Sequence, residues 1–204
     1  ISGREEARLI YLGVAQTMPD AGQRLVVDIG GGSTEVIIGE GFETVQADSL
    51  YMGCVSFTQR FFADGKITAK DFREAQLAAE LELQSIAQSY RKLGWQSAVG
   101  CSGTITAVYG IARENGWLEN DAVTARSLKK LRKALVAAGS VDALSLPGLA
   151  EDRAGVIAAG TAILEALFLD LRVKKMQPSG GALREGVLYD LVGRINREDV
   201  RDRT

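Results

Sequence analysis

The chain has 204 residues, with 24 lysines and arginines, 26 aspartates and glutamates, two cysteines and no histidine. That length holds one good-sized domain or two small lobes, and a net charge of −2 leaves no basic footprint for nucleic acid. Without histidine, a Ser-His-Asp triad, a histidine base and a histidine metal site are excluded within the chain; chemistry falls to carboxylates, lysine and arginine, hydroxyls, backbone amides or a bound metal.

No apolar run approaches the length of a membrane span, and no signal peptide is visible. Cys54 and Cys101 stand far apart with no Cys-x-x-Cys spacing, which predicts structural thiols in a reducing, cytoplasmic setting. The chain opens on Ile1-Ser2-Gly3 rather than Met, and is read as a piece excised from a longer protein.

In chain order, residues 5–14 read as a helix with Ser2 as its N-cap. Ala7, Ile10, Leu12 and Val14 give it a loosely apolar side. Glu5 and Glu6 fall in the first turn, where the helix dipole favours negative charge. Residues 17–23, with Pro19 and Gly22, read as a polar linker. Two apolar runs around Gly30-Gly31-Gly32 then read as strand, tight turn, strand, and a third strand is expected at 42–49, making a meander. A short helix is expected at 56–62. Residues 70–93 form a long helix capped by Thr68, with a buried stripe of Phe72, Ala75, Ala79, Leu83 and Ile86.

A short buried strand at 97–101 leads through Ser102-Gly103-Thr104 into a helix at 105–114. The helix at 127–138 carries Lys129, Lys130, Arg132 and Lys133, most simply a solvated face. Residues 144–149 are a loop around Pro147-Gly148. Residues 152–171 read as one mostly apolar, buried helix, and 174–178 as a last strand. The glycine-rich segment 179–186 opens a helix at 187–194, and residues 195–204 are expected to be a charged, exposed tail. Ligands gather where strands end in mixed α/β sheets, and three glycine-rich junctions follow strands here: 30–32, 100–103 and 180–186.

The first junction is the most informative. Asp28 precedes Gly30-Gly31-Gly32, and Ser33-Thr34-Glu35 follows. Backbone N–H groups of such a turn can cradle a phosphate, and Ser33 and Thr34 add hydroxyls. Carboxylates on both sides would repel a phosphate unless a hard cation such as Mg²⁺ sits between. The alternative is an ordinary hairpin, for which two glycines suffice. Neither the Walker A spacing nor an opening Gly-x-Gly-x-x-Gly is present. At the second junction, a strand-to-helix turn that binds an anion and a plain turn remain equally open.

The pattern resembles the actin-like ATPase and sugar-kinase superfamily, and within it the exopolyphosphatase / guanosine pentaphosphate phosphohydrolase family. The resemblance rests on Ile1-Ser2-Gly3-Arg4-Glu5-Glu6-Ala7-Arg8, on residues 27–35, and on Met52-Gly53-Cys54-Val55-Ser56. It continues through Ser102-Gly103-Thr104 to Gly181-Ala182-Leu183-Arg184-Glu185-Gly186-Val187-Leu188-Tyr189. Residues 144–149 and 194–204 lean toward the exopolyphosphatase branch.

The resemblance implies an α/β, ribonuclease H-like fold: a mixed five-stranded sheet flanked by helices, forming the second lobe (1–204) of a two-lobed protein. The family's first lobe and its C-terminal His/Asp-rich domain are not in this sequence. Glu6 matches the general base of the family's Ser-Gly-x-x-Glu-Ala-Arg motif. Asp28 and Glu35 match carboxylates that hold Mg²⁺ or orient water. Gly30, Gly31, Gly32, Ser33 and Thr34 match the phosphate loop, with Ser102, Gly103, Thr104 and Arg184 as further contributors.

The activity implied is Mg²⁺-dependent release of orthophosphate from the ends of inorganic polyphosphate. Removal of the 5′-terminal phosphate of guanosine pentaphosphate is the alternative, and a non-catalytic phosphate- or nucleotide-binding module is the rival from another class. A kinase of the same superfamily would need an adenosine site, for which there is no signature. The resemblance also admits a homodimer and peripheral association with a membrane.

Overall fold

The computed structural model describes residues 2–18 and 22–201. Among them, β1 (Gln23–Ile29), β2 (Thr34–Glu40), β3 (Glu43–Leu50), β4 (Ser97–Gly100) and β5 (Gln177–Pro178) form one sheet in the order β3-β2-β1-β4-β5. β1, β2 and β3 are the expected antiparallel meander. β4 runs parallel to β1, and β5 parallel to β4. The helices are α1 (Gly3–Thr17), α2 (Cys54–Phe61), α3 (Ala69–Leu93), α4 (Gly103–Glu114), α5 (Ala125–Ala138), α6 (Glu151–Ala154), α7 (Ile157–Leu171) and α8 (Leu183–Arg201).

Strand alternation assigns the sheet's two faces. Leu25, Val27, Ile29, Val36 and Ile38 join a core with residues of α2, α3, α4, α5 and α7. Val26, Ile37, Val99 and Cys101 join a second core with Ala7, Ile10, Tyr11 and Val14 of α1. Asp28 is two residues after Val26, and Glu35 two before Ile37. The same period therefore puts both carboxylates on the face that α1 covers.

Several elements depart from the sequence reading. α1 runs on to Thr17, which shortens the expected linker; its Pro19 lies outside the described residues. The expected helix over 152–171 is two helices, broken at Gly155-Val156. α7 is buried on nearly every side from Ile157 to Phe168, so a continuous helix would leave no polar face for Glu151 and Asp152, which are exposed. Arg132 is not simply solvated: its guanidinium lies 3.2 Å from Glu165 on α7. The expected tail is helical as far as Arg201, and residues 202–204 lie outside the described ones. Among the described residues, no helix is long and apolar enough to cross a membrane.

Candidate active site

The β1–β2 turn is built back to back with the start of α2. The amide of Gly30 donates to the carbonyl of Ser33 at 2.9 Å and closes the turn. The carbonyl of Gly30 accepts from Cys54 N–H, and that of Gly31 from Val55 and Ser56 N–H, at 2.9 to 3.0 Å. These bonds satisfy orphan amides in the first turn of α2 and commit the turn's carbonyls to that side. Gly53 makes the approach feasible, because a Cβ there would lie 2.3 Å from the Gly31 carbonyl oxygen. Among the described residues, the amides of Gly31, Gly32 and Ser33 have no acceptor.

Two hollows flank this turn. One, of about 450 Å³, is bordered by Gly3, Arg4, Glu6, Ser33, Asp48, Ser49 and Tyr51. The other, of about 440 Å³, takes in Asp28, Gly30, Gly31, Cys101, Ser102, Gly103, Asp152 and Arg153. The first two glycine-rich junctions therefore meet across one cleft.

Asp28 and Glu35 are directly opposite in the β1–β2 register. Glu35 is 1% exposed, and its Oε1 accepts from the Ser49 hydroxyl at 2.8 Å. Burial raises its pKa, with Glu6 adding charge repulsion and the Ser49 and Ser33 hydroxyls opposing. Asp28 is pushed up to about 7 by burial first, then by the charge of Glu35 and, less, of Glu6; its bond from Cys101 opposes this. That Cys101 Sγ donates to Asp28 Oδ2 at 3.6 Å. Burial and the Asp28 charge push the Cys101 thiol well up, which rules out a resting thiolate.

The structure separates the two first-turn glutamates. Glu5 is bound by Arg8 through two hydrogen bonds, at 2.9 and 2.7 Å, and Arg8 also reaches Asp190 on α8 at 2.8 Å. Glu6 makes no side-chain hydrogen bond or ion pair among the described residues, and borders the hollow beside Ser33. α1 lies close to β3 there, since a Cβ on Gly3 would sit 2.6 Å from the Cβ of Ser49.

Other expected residues are turned to different uses. Thr34 is fully buried and donates to the Met52 carbonyl at 2.5 Å. Thr104, 2% exposed, donates to the Ile29 carbonyl at 3.3 Å. The Thr34 hydroxyl is therefore withdrawn from the open cleft, while that of Thr104 is committed to the cleft's wall, where Thr104 still borders the hollow. Ser102 caps α4 by accepting from Ile105 N–H at 3.2 Å, yet still borders the cleft. Gly103 is exposed at the same junction.

The third junction is a packing device. A Cβ on Gly186 would lie 1.8 Å from the Leu9 carbonyl oxygen, and one on Gly181 2.4 Å from that of Gly13. These glycines let α8 lie against α1. Arg184 is exposed and borders neither hollow.

The sequence reading missed Arg153 and Ser49. The break at Gly155 brings Arg153 over Gly103, within 2.9 Å of where a Cβ would be. A glycine inside an apolar helical run was the available signal. Ser49 had none, because its role depends on cross-strand register with Glu35.

Among the described residues, no group of three or more His, Cys, Asp or Glu side chains is arranged to hold a metal. Mg²⁺ commonly takes only one or two carboxylates, completed by waters and substrate phosphates. Asp28 and Glu35 suit that mode. Burial first, and neighbouring negative charge after it, raise both pKa values, and a cation between the two carboxylates would lower both.

The model of the Ppx/GppA phosphatase family matches residues 1–195. A protein of Vibrio cholerae named guanosine-5'-triphosphate,3'-diphosphate pyrophosphatase is 46% identical over 204 residues, covering 100% of this chain and 41% of its own length. The chain thus spans less than half of that relative. The Aquifex aeolicus PPX-GPPA enzyme superposes with a TM-score of 0.78 at 28% identity, over 92% of this chain and 63% of that one. An exopolyphosphatase from Cytophaga hutchinsonii gives 0.78 at 27% identity, over 95% and 64%.

Proposed function

The chain belongs to the Ppx/GppA phosphatase family, and on that premise we propose that it is the second, actin-like lobe of a hydrolase that removes the terminal phosphate of guanosine pentaphosphate. The observation that carries the reading is the convergence of Glu6, Asp28 and Glu35 with the acceptor-free amides of Gly31, Gly32 and Ser33 at one turn. The choice of nucleotide is supported by the name of the Vibrio relative. The other wall of the cleft comes from a lobe outside this chain.

Phosphoryl transfer needs positioning and charge neutralisation more than covalent help. The amides of Gly31, Gly32 and Ser33 bind oxygens of the terminal phosphoryl group. Arg153 and Ser102 hold the phosphates from the opposite side of the cleft. Glu6 takes the proton of the attacking water as its oxygen bonds to phosphorus, and the bond from phosphorus to the bridging oxygen breaks, leaving a shortened anhydride. Asp28 and Glu35 would hold Mg²⁺, which, when bound, neutralises phosphate charge and polarises the transferred group.

A second reading, polyphosphate as substrate, is supported by the name of the Cytophaga structure. The segment 144–149 adds little, because its Leu144, Leu146 and Leu149 pack on the main core and border neither hollow.

The test is phosphate release by the full-length protein from guanosine pentaphosphate and from long-chain polyphosphate, with and without Mg²⁺, beside Glu6→Gln. We expect Mg²⁺-dependent release that prefers the nucleotide and falls about 10²–10⁴-fold in the variant. Unchanged release in Glu6→Gln overturns the base assignment. Preference for polyphosphate moves the protein to the second reading, and binding without turnover makes it a binding module.

A further inference from the structure

The far end of the sheet has the opposite electrostatics. A cavity of about 480 Å³ opens beside the start of β4, bordered by Arg91, Trp95, Ser97, Arg172, Lys174 and Lys175, with Leu171 beneath. Among the described residues, no carboxylate borders it, although acidic residues outnumber basic ones in the chain. Asp170 stands beside Arg91, and its backbone carbonyl accepts from that guanidinium at 2.6 Å. Among the described residues, Arg172, Lys174 and Lys175 have no carboxylate partner.

Lysines flanking an edge strand commonly guard it against pairing with another chain, and Lys174 and Lys175 precede the edge strand β5. That role does not account for Arg172. It ends α7 at φ 60°, ψ 40°, in the left-handed region, a position usually taken by glycine. Among the described residues, the other non-glycine residues at positive φ are Asn120 and Asp121, whose short polar side chains tolerate it. This arginine stands in a strained backbone conformation at the rim of a cationic cavity.

We propose that this cavity binds an oligophosphate anion, with Arg91, Arg172, Lys174 and Lys175 on the phosphates and the half-buried indole of Trp95 as its wall. A bare phosphate chain and the phosphate chain of a nucleotide share this chemistry; Trp95 tells them apart, since only a nucleotide brings a base to stack on it. The site lies at the opposite end of β4 from Ser102 and does not depend on the role given to the glycine turn.

Both hydrophobic cores of the sheet are built from this chain's own residues, so the test uses the 204-residue chain with Trp117→Phe, which leaves Trp95 as its sole indole. It is titrated with sodium tripolyphosphate, and separately with GTP, in EDTA, following Trp95 fluorescence. A saturable, salt-sensitive change is expected. Arg172→Gly is expected to weaken binding about tenfold while leaving the urea midpoint unchanged or higher, since glycine relieves the left-handed strain. Lys174→Gln with Lys175→Gln is expected to weaken it by a similar factor. Equal affinities assign the site to bare phosphate chains; tighter GTP binding that Trp95→Leu abolishes assigns it to nucleotides. No fluorescence response, or a response indifferent to both cation variants, overturns the proposal.

Discussion

The turn between β1 and β2 and the start of α8 are both glycine-rich, yet a methyl group added to each would meet different surroundings. On Gly186 it would lie 1.8 Å from a backbone oxygen of α1, while on Gly32 it would find nothing within 4 Å. None of Gly30, Gly31 and Gly32 takes a left-handed φ, so the turn's own conformation does not demand glycine either. A glycine whose Cβ would strike backbone is there for packing. A glycine that neither packing nor backbone angle requires leaves room for something else, and at Gly32 that room opens beside acceptor-free amides and three carboxylates. The two segments separate the scaffold from the site it presents: α8 holds α1, and α1 carries Glu6.

The largest effect is expected on the packing side. Gly186→Ala must push α8 away from the Leu9 carbonyl, and backbone cannot yield as a side-chain tip does. Overpacking usually costs about 1–3 kcal/mol; with backbone as the obstacle we expect about 3 kcal/mol or more, read as a lower urea midpoint. Phosphate release should fall with it, because Glu6 rides on the displaced helix. An unchanged midpoint would mean that the α1–α8 contact is looser than it stands, and the comparison would lose its packing half.

The same contrast explains what the sequence could and could not reveal. The meander, the strand β4 and the long α3 were legible because period-two and helical apolar patterns are local; that β4 runs parallel to β1 was not. Asp28, Glu35 and the glycine turn were legible because they are adjacent in sequence. The inward aim of the Thr34 and Thr104 hydroxyls was not, since each is fixed by a carbonyl from another segment, Met52 and Ile29. The packing role of Gly181 and Gly186 was hidden for the same reason, because their neighbours on α1 are far away in sequence. Glu6 and Glu5 were equal by composition; the Arg8–Glu5 pair, which resolves them, is an i,i+3 contact that could have been anticipated.

An intermediate effect is expected at Asp28, on the ligand side. Its folded pKa of about 7 lies above the ordinary 3.8. The folded chain therefore holds a proton that the unfolded chain releases between those values, and stability falls as pH rises from about 4 through 7. A shift of about three units corresponds to about 4 kcal/mol at most; relaxation around a partly exposed carboxyl brings this to about 2 kcal/mol. Glu35, also raised by burial, acts in the same direction. In urea titrations with EDTA, Asp28→Asn should be more stable than the parent chain at pH 8 by about 2 kcal/mol, and the two should converge near pH 4. A variant less stable than the parent at pH 8 would make Asp28 a structural residue and blur the line between the two regions.

The smallest effect on stability, and the sharpest test of the contrast, is Gly32→Ala. The methyl group enters open space at a backbone angle that alanine tolerates, so the urea midpoint should stay within about 0.5 kcal/mol, as for most surface substitutions. On the function proposed above, the same methyl stands where a phosphoryl group approaches the amides of Gly31, Gly32 and Ser33. Displacing a reacting group by about 1 Å can cost about 10²-fold in rate, and we expect a loss of that order in phosphate release by the full-length protein. Stability and turnover would then part at Gly32 and fall together at Gly186. Full turnover in Gly32→Ala would leave the open space without a ligand to explain it and return the turn to an ordinary hairpin. A drop in stability as large as that of Gly186→Ala would show the turn to be packed after all, against chain that the Cβ geometry does not reveal.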